Sequence, residues 1–232
     1  MIKLRSGTHY KCAAFALALS CLAWAQPSGV PSGVKVTFER NTGAAATGEF
    51  KFKRVPSPAK DDAATKARLT LFLGQRDANG APLGALTDGA LPASEDEPRA
   101  NFFFNSGSDG GRFRLDLGAP VEIAEVNSYS WHSDSRAPQV YNLYASDGTS
   151  AKFNDAPDAN TDPRTCGWTF VATVDTRPPQ GEAAGGQYGA SVANANGALG
   201  EYRYLLFDVV PTEYEDPWGN TFFSEVDVVA KK

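Results

Sequence analysis

The stretch RFRLDLGAPVEIAEVNSYSWHSDSRAPQVYNLYASDG, residues 112–148, decides the fold. Apolar and polar residues alternate through most of it, which is the period of a half-buried β-strand. Gly118-Ala119-Pro120 is a turn sequence, and a polar loop, Trp131–Arg136, follows the second apolar run. The stretch therefore predicts three strands joined by a turn and a loop. The first strand contains Phe113, Leu115 and Leu117. The second starts at Val121 and ends around Tyr129 to Trp131, and Tyr141, Leu143 and Ala145 line the third.

Similar short strands are predicted along the rest of the chain. Residues 202–210 are apolar on both faces, which is typical of a central strand. Asp61–Ala67 is the best helix candidate, with Asp61 as its N-cap. Short strands separated by Gly- and Pro-rich loops, such as 177–190, predict an all-β fold, a jelly-roll β-sandwich with very little helix. The other strand candidates are 34–40, 50–53, 69–73, 168–175 and 222–229.

Residues 1–25 have the composition of a secretory signal peptide. Three basic residues precede a short apolar run, and Ala23-Trp24-Ala25 fits the small-x-small cleavage pattern. The run is too short to cross a bilayer. The alternatives are a buried N-terminal helix and a lipoprotein signal processed at Cys21. We expect cleavage near Ala25 and a secreted protein, extracellular or periplasmic.

The mature chain is acidic and poor in cysteine and histidine. The net charge falls from −5 to −8 after cleavage, because residues 1–25 carry three basic and no acidic residues. Such a surface repels nucleic acid, and no other apolar run is long enough to span a membrane. Cys166 is the one mature cysteine, so no internal disulfide can form. His132 is the one mature histidine, which excludes multi-histidine metal sites.

Six pieces of sequence occur in an order and spacing that matter together: Leu86–Gly89, Arg114–Gly118, Val140–Gly148, Trp168, Tyr202–Phe207 and Phe223–Val228. With them, the segment from Leu86 to the C-terminus resembles the galactose-binding-like jelly roll of discoidin domains, coagulation-factor C-type domains and bacterial carbohydrate-binding modules. A wider run that includes Ser130-Trp131-His132 and Trp218-Gly219-Asn220 resembles a group of secreted bacterial proteins of this fold.

Composition and length predict the domain organisation. Residues 26–33 are rich in Gly and Pro and form a flexible lead, and 34–232 is enough for one β-sandwich domain. The likeness begins only at Leu86, so we expect 34–85 to be an N-terminal extension of the sandwich. We assume a monomer.

The resemblance also implies a structural calcium ion. Members of the group commonly hold it between a loop with an Asp-Gly pair and the last strand with its Glu, which match Asp88 and Glu225 here. Hard cations of this kind take carboxylate and carbonyl oxygens. The simpler alternative is that Asp88 shapes a turn and Glu225 lies in solvent.

The candidate ligand site is the loop after the second predicted strand, joined by a second loop. Trp131 offers an aromatic face to a sugar, and His132 and Arg136 offer hydrogen-bond donors. Trp218 comes from the loop 211–220. The alternative for each residue is structural, with Trp131 in the core, His132 capping a turn and Arg136 paired with Asp134.

We therefore expect a secreted, non-catalytic binding module for carbohydrate or another extracellular polymer. One alternative is a structural surface or matrix protein without a sugar site, and another is a glycosidase or lyase. We expect no enzyme activity. Glycoside hydrolysis needs two carboxylates placed across a cleft, and no spacing in the sequence marks such a pair.

Overall fold

The computed structural model describes residues 32–212 and 220–232, and within them the chain is almost entirely β. The all-β prediction is confirmed. Regular helix in this part of the chain is limited to four short 3-10 segments, Gly43–Ala45, Leu83–Thr87, Pro98–Ala100 and Pro163–Cys166. The strands are β1 (Val34–Asn41), β2 (Arg68–Leu73), β3 (Phe102–Phe104), β4 (Gly111–His132), β5 (Val140–Ser146), β6 (Thr169–Asp175), β7 (Gly186–Asn194), β8 (Gly200–Val210), β9 (Asn220–Phe223) and β10 (Glu225–Ala230).

The long strand β4 belongs to both layers of the sandwich. Its first part, Gly111–Asp116, pairs with β2 and β8, and β5 and β6 continue that layer beyond β8. Its last part, Glu125–His132, pairs with β10 and β7, and β1 continues that layer beyond β7. We call these two layers sheet I and sheet II. All of these pairings are antiparallel, and β3 and β9 form a separate two-stranded ribbon.

The main core fills the space between the two sheets. Alternate residues of each strand point inward, so Phe113 and Phe207 of sheet I stack at 4.8 Å, and Phe223 meets Phe113 edge-on. Sheet II contributes Val126 and Val226 to the same cluster. Each fully buried side chain of this size contributes about 1.5–3 kcal/mol to stability, which matters in a fold whose described residues include one cysteine, the free Cys166.

Both outer faces of the sandwich are covered by irregular segments. On sheet I the loop 147–167 lies over β4 and β8, and Arg112 donates to the backbone oxygens of Pro157, Asp158 and Thr161 at 3.2, 2.6 and 3.0 Å. On sheet II the segment 46–60 lies over β4 and β7, with Phe50 and Val55 packed against Tyr129 and Trp131. Neither outer face is therefore a simple solvated sheet surface.

Several strand predictions are confirmed, and β8 lies between β4 and β5 as expected of a central strand. The turn predicted at Gly118-Ala119-Pro120 does not separate two strands, so this prediction is wrong. Gly118 has a φ of +84° and the register to β8 shifts between Asp116 and Val121, so a bulge bends one continuous strand. The strand also runs to His132, further than predicted.

The predicted helix over Asp61–Ala67 is wrong, because the segment forms turns. Asp62, and not Asp61, acts as the cap: its Oδ1 accepts from the backbone N–H groups of Ala64 at 2.6 Å and Val228 at 3.0 Å. The bond to Val228 ties the segment to β10. Because the Asp62 side chain bonds these backbone N–H groups, it stabilises turns in place of a helix.

The predicted strand over 50–53 is also wrong, and the loop predicted over 177–190 ends at residue 185, because β7 begins at Gly186. Phe50 has a φ of +48°, which interrupts the extended backbone and turns its ring onto Tyr129 and Trp131. The loop assignment missed β7, in which Gly189 carries no side chain because the ring of Phe52 lies 2.7 Å from where a Cβ would be. The last predicted strand, 222–229, is two strands interrupted at Ser224.

No helix in the described residues is both long and apolar enough to cross a membrane.

Candidate functional site

Trp131 and His132 point to opposite faces of β4, because successive strand residues alternate. Trp131 faces outward from sheet II and packs edge-on against Phe50 at 5.8 Å. His132 faces the other way and meets Phe222 edge-on at 4.6 Å. The loop expected to hold both residues begins only after His132. The structure therefore divides the predicted ligand cluster between two places.

Arg136 lines an open groove of about 940 Å³ at one end of the sandwich, which we call the phenylalanine groove. Phe103 and Phe222 form its floor as a stacked pair at 4.3 Å, and Arg136 lies over the Phe222 ring at 5.6 Å. Both phenylalanines are buried, so they support the groove from below and do not offer a free aromatic face. The remaining lining residues are Ala78, Asn79, Gly80, Ala81, Pro82, Asp96, Glu97, Pro98 and Arg99.

His132 lies just behind this groove and contacts one of its acidic residues. Its Nδ1 accepts from the Asp134 backbone N–H at 2.9 Å, and its Nε2 lies 3.2 Å from Asp96 Oδ1. Burial lowers the pKa of His132, and the nearby Arg136 lowers it further. Its Nε2 faces Asp96, whose φ of +53° is unusual for a residue other than glycine. His132 is too buried to meet a ligand itself, and its contact with Asp96 does not have hydrogen-bond geometry.

Trp131 lines a different and smaller groove, of about 390 Å³, which we call the indole groove. Trp131 is 6% exposed, and its Nε1 has no hydrogen-bond partner within the described residues. The groove is otherwise lined by Thr42, Gly43, Ala46, Ala93, Ser94, Glu95, Ser133, Gly185 and Gly186. Trp218, the fourth predicted ligand residue, lies outside the described residues.

Asp88 and Glu225, the predicted calcium ligands, belong to neighbouring segments. The Gly89 N–H donates to Glu225 Oε1 at 3.4 Å, which brings the Asp88-Gly89 turn against β10. Glu225 is fully buried rather than solvated, and its Oε2 has no partner in the described structure. Asp88 Oδ1 also accepts from the Ala90 N–H at 2.8 Å, so it does shape the turn.

Further buried polar groups surround Glu225 on the outer face of sheet II. Asp227 is 1% exposed, and its Oδ2 accepts from the Ala59 N–H at 2.9 Å and from the Tyr129 hydroxyl at 3.4 Å. Asp227 Oδ1 and both polar side-chain atoms of Asn127 have no partner among the described residues. We call Asn127, Glu225 and Asp227 the acidic layer.

The acidic layer is electrostatically costly because it concentrates negative charge away from water. Burial raises the pKa of Glu225 to about 9, and the neighbouring Asp227 contributes to that shift. Burial also raises the pKa of Asp227 to about 7, with a further contribution from Asp62, while the bond from Ala59 opposes it. Such a site takes up either protons or a cation. In the part of the chain that the structure describes, no three His, Cys, Asp or Glu residues are grouped closely enough to hold a metal by themselves.

The sequence missed Asp96, Phe103 and Phe222 as groove residues, and Asn127 and Asp227 as members of the acidic layer. The three groove residues come from segments far apart in the chain, so no local spacing joins them. A signal did exist for Asp227, since it lies two residues after Glu225 and therefore shares its face of β10.

No protein-family model matches the chain, and no curated protein matches it either. Solved structures similar to it include a variant of the lectin-binding domain of lectinolysin complexed with Lewis b, at 15% identity over 75% of this chain and 99% of that one, with a TM-score of 0.46. A Streptococcus pneumoniae fucose-binding module is 12% identical over 74% and 99%, with a TM-score of 0.44. Chitosan-binding module 2 of a Paenibacillus chitosanase/glucanase, in complex with chitotriose, is 15% identical over 73% and 100%, with a TM-score of 0.45.

Proposed function

We propose that this protein is a secreted, non-catalytic module that binds carbohydrate in the phenylalanine groove. The observation that carries the proposal is the set of polar side chains that meets there. Asn79, Asp96 and Glu97 provide hydrogen-bond acceptors, and Arg99 and Arg136 provide guanidinium donors. Secretion rests on residues 1–25, which lie outside the described residues.

A hydroxyl-rich ligand suits this groove better than an apolar one. Each sugar hydroxyl both donates and accepts, so a mixed wall of carboxylate, amide and guanidinium groups can satisfy several at once. Pro82 and Pro98 add apolar surface for the C–H faces of a ring. The groove volume falls in the range typical of small-ligand sites. Asp96 is half exposed, so its carboxylate is open to a ligand in the groove.

A glycan array tests the proposal directly. Arg99 is exposed, so Arg99→Ala removes a groove donor without disturbing the core. We expect this variant and Arg136→Ala to bind the preferred glycan about tenfold more weakly, as for loss of a hydrogen bond to a charged group. Arg164→Ala, which removes an exposed guanidinium paired with Asp162 away from the groove, is the matched control and should bind like the wild type.

Two results would contradict the proposal. Arrays that remain blank for the wild type would favour the structural surface protein, which needs no sugar site. Turnover of any member of a polysaccharide panel would show catalysis, and the adjacent Asp96 and Glu97 would then be the first carboxylates to replace.

We also propose that Asp88 and Glu225 help to hold a structural calcium ion. The donor set fits, because Glu225 is a buried carboxylate with an unpartnered oxygen and the neighbouring groups are oxygen ligands. Two side chains are too few, so backbone carbonyls must supply the other ligands. The bound cation would offset the buried negative charge of the acidic layer.

A thermal melt with calcium and with chelator tests this second proposal. With calcium at roughly ten times its Kd, binding stabilises the folded state by about 1.4 kcal/mol and raises Tm. Asp88→Asn and Glu225→Gln should lose the calcium-dependent shift, whereas Asp147→Asn, in an exposed turn of the other sheet, should keep it. An unchanged midpoint for the wild type would rule out the site.

A further inference from the structure

Asn101 is a buried residue that bonds to several of the segments lining the phenylalanine groove. It has no exposed surface, it directly follows the 3-10 segment Pro98–Ala100, and it does not itself line the groove. Buried polar groups make their hydrogen bonds within the protein. The partners of Asn101 therefore show which parts of the chain it holds together.

The side-chain amide of Asn101 links one wall of the groove to its floor. Nδ2 donates to the Glu97 oxygen at 2.7 Å, and Oδ1 accepts from the Ser224 hydroxyl at 2.6 Å. Glu97 belongs to the wall 96–99, and Ser224 lies two residues after Phe222 of the floor. The Glu97 oxygen also accepts from the Ala100 N–H at 3.0 Å, but that bond stays within one turn.

The backbone of Asn101 holds the second wall, 78–82. Its carbonyl oxygen accepts from the Ala81 N–H at 2.8 Å. Gly80 passes so close that a Cβ there would lie 3.3 Å from the same oxygen. Both walls are therefore bonded to one residue, and the Phe222 N–H extends the connection to Arg136 by donating to its backbone oxygen at 2.9 Å.

The polar groups offered to a saccharide come from the two walls that Asn101 joins. Asn79 lies on the wall 78–82, and Asp96 and Arg99 lie on the wall 96–99. A site of this kind binds well when its donors and acceptors are in place beforehand, because ordering them on binding costs affinity. The spacing of the two walls is thus a determinant of affinity, although the residue that sets it does not touch the ligand.

We propose that Asn101 is the positioning residue of the phenylalanine groove, and that its amide and carbonyl groups hold the two walls at the spacing in which a saccharide binds. The ligand class rests on the proposed function, whereas the positioning of the walls does not. Loss of the amide lowers the fraction of molecules with a competent groove. If that fraction falls to about one tenth, the apparent Kd rises about tenfold.

Two variants remove the side-chain bonds of Asn101 to different extents. Asn101→Leu keeps much of the volume and removes both bonds. Ser224→Ala removes only the hydroxyl that donates to Oδ1, so it tests the proposal even if Asn101→Leu does not fold. We would add galactose, fucose, glucose and N-acetylglucosamine separately and follow the Arg99 and Arg136 Nε–H resonances in ¹H–¹⁵N spectra, well below the unfolding midpoint of each variant. We expect about tenfold weaker binding for Asn101→Leu and a smaller loss for Ser224→Ala.

Each variant has a matched control elsewhere in the fold. Asn127 is as buried as Asn101, but it lies on the outer face of sheet II and its amide has no partner among the described residues. Ser146 is a buried serine on sheet I whose hydroxyl donates to the Gly167 oxygen at 2.6 Å. Asn127→Leu and Ser146→Ala should therefore bind each sugar like the wild type.

Amide hydrogen exchange without any sugar tests the walls themselves. The Ala81 and Ala100 N–H groups, one for each wall, should exchange faster in Asn101→Leu than in Asn127→Leu. The Leu205 N–H, in the core of sheet I, should exchange no faster in Asn101→Leu than its global stability requires. This pattern would show a local loosening of the groove, which a general loss of stability does not produce.

The possible outcomes separate this proposal from the function on which its ligand rests. Wild-type affinity in both Asn101→Leu and Ser224→Ala would overturn the positioning role and leave Asn101 as a purely structural residue. Unchanged exchange of Ala81 and Ala100 would overturn it without reference to any sugar. If the wild type binds no sugar while exchange accelerates at both walls, the carbohydrate proposal fails and the positioning of the groove by Asn101 stands.

Discussion

The two outer faces of the sandwich are built alike, but their buried polar groups differ in how many hydrogen-bond partners they have. Each carries a buried tryptophan and buried charged groups beneath an irregular covering segment. On sheet I, Arg112 bonds Asp208 at 2.8 Å as well as three loop oxygens, and Trp168 bonds Asn154. Arg114 Nε is the exception on that face, although Arg114 also pairs with Asp155.

On sheet II the covering segment is held by aromatic contacts and by hydrogen bonds such as those from Tyr129 to the Pro56 oxygen and from Ala59 to Asp227. Several polar atoms below it nevertheless have no partner among the described residues. Phe52 stacks on Tyr129, and Phe50 packs on Tyr129 and Trp131. Meanwhile Trp131 Nε1 and the acidic layer have unpartnered atoms within residues 32–212 and 220–232. Sheet I therefore satisfies most of its buried polar groups within the fold, whereas sheet II leaves several of its buried polar atoms without a partner among the described residues.

The largest expected loss of stability comes from removing the Arg112 contacts that hold the loop 147–167 on sheet I. Arg112→Met keeps much of the side-chain volume but leaves Asp208 and the oxygens of the loop 147–167 without their donor. Removal of one partner of a buried ion pair costs about 3–5 kcal/mol. Urea unfolding monitored by circular dichroism measures the loss.

Arg164→Met is the control for Arg112→Met. It also removes an arginine paired with an aspartate, but this pair is exposed, and exposed pairs contribute little to stability. Equal urea midpoints for Arg112→Met and the wild type would show that the Arg112 contacts do not hold the loop 147–167 on sheet I.

The second expected effect is the pH dependence of folding stability that the acidic layer causes in metal-free protein. The folded pKa values of Glu225 and Asp227, about 9 and about 7, lie above the ordinary values of 4.5 and 3.8. The folded state therefore binds these protons more tightly than the unfolded chain. The resulting stability is complete below about pH 4 and is lost as pH rises towards 9, by at most about 1.4 kcal/mol per pH unit for each carboxyl.

Chemical unfolding in chelator from pH 5 to pH 9 measures this decline. Glu225→Gln should flatten the profile above pH 7, because the amide carries no charge at any pH. Calcium should also oppose the decline, since it binds the ionised carboxylates. A flat wild-type profile in chelator would mean that the acidic layer does not destabilise the fold.

The strands with clear alternation could be predicted from the sequence, and those with small residues could not. Val34–Asn41 alternates apolar and polar residues as far as Glu39, and Tyr141, Leu143 and Ala145 lie on one face of Val140–Ser146. In β7 the inward Ala190 and the bare Gly189 hide the same period, because the place of a side chain at Gly189 is taken by Phe52 from a distant segment. A pattern within one strand cannot record such a contact.

The positions of the candidate site residues could be predicted only in part, because a local pattern does not record contacts between distant segments. The resemblance paired the Asp88 turn with Glu225, and the structure places them together. Trp131 and His132 were assigned to one loop, whereas an extension of β4 to His132 puts them on opposite faces. The end of a strand is the least certain feature of a sequence, and here its position decides which groove each residue serves.

The smallest expected effect is the difference in stability between variants that remove the indole N–H on one face or on the other. Trp168→Phe and Trp131→Phe remove the same atoms from two tryptophans of nearly equal burial, 4% and 6% exposed. The first variant also leaves the Asn154 oxygen without its donor, while the second removes a donor that has no partner in the described structure. We expect Trp168→Phe to lose about 1 kcal/mol more stability than Trp131→Phe, the net contribution of one hydrogen bond. Matched urea unfolding curves give the difference without any ligand. Equal losses would mean that Trp131 Nε1 already has an acceptor, such as ordered water, and the contrast between the two faces would then lie in the acidic layer alone.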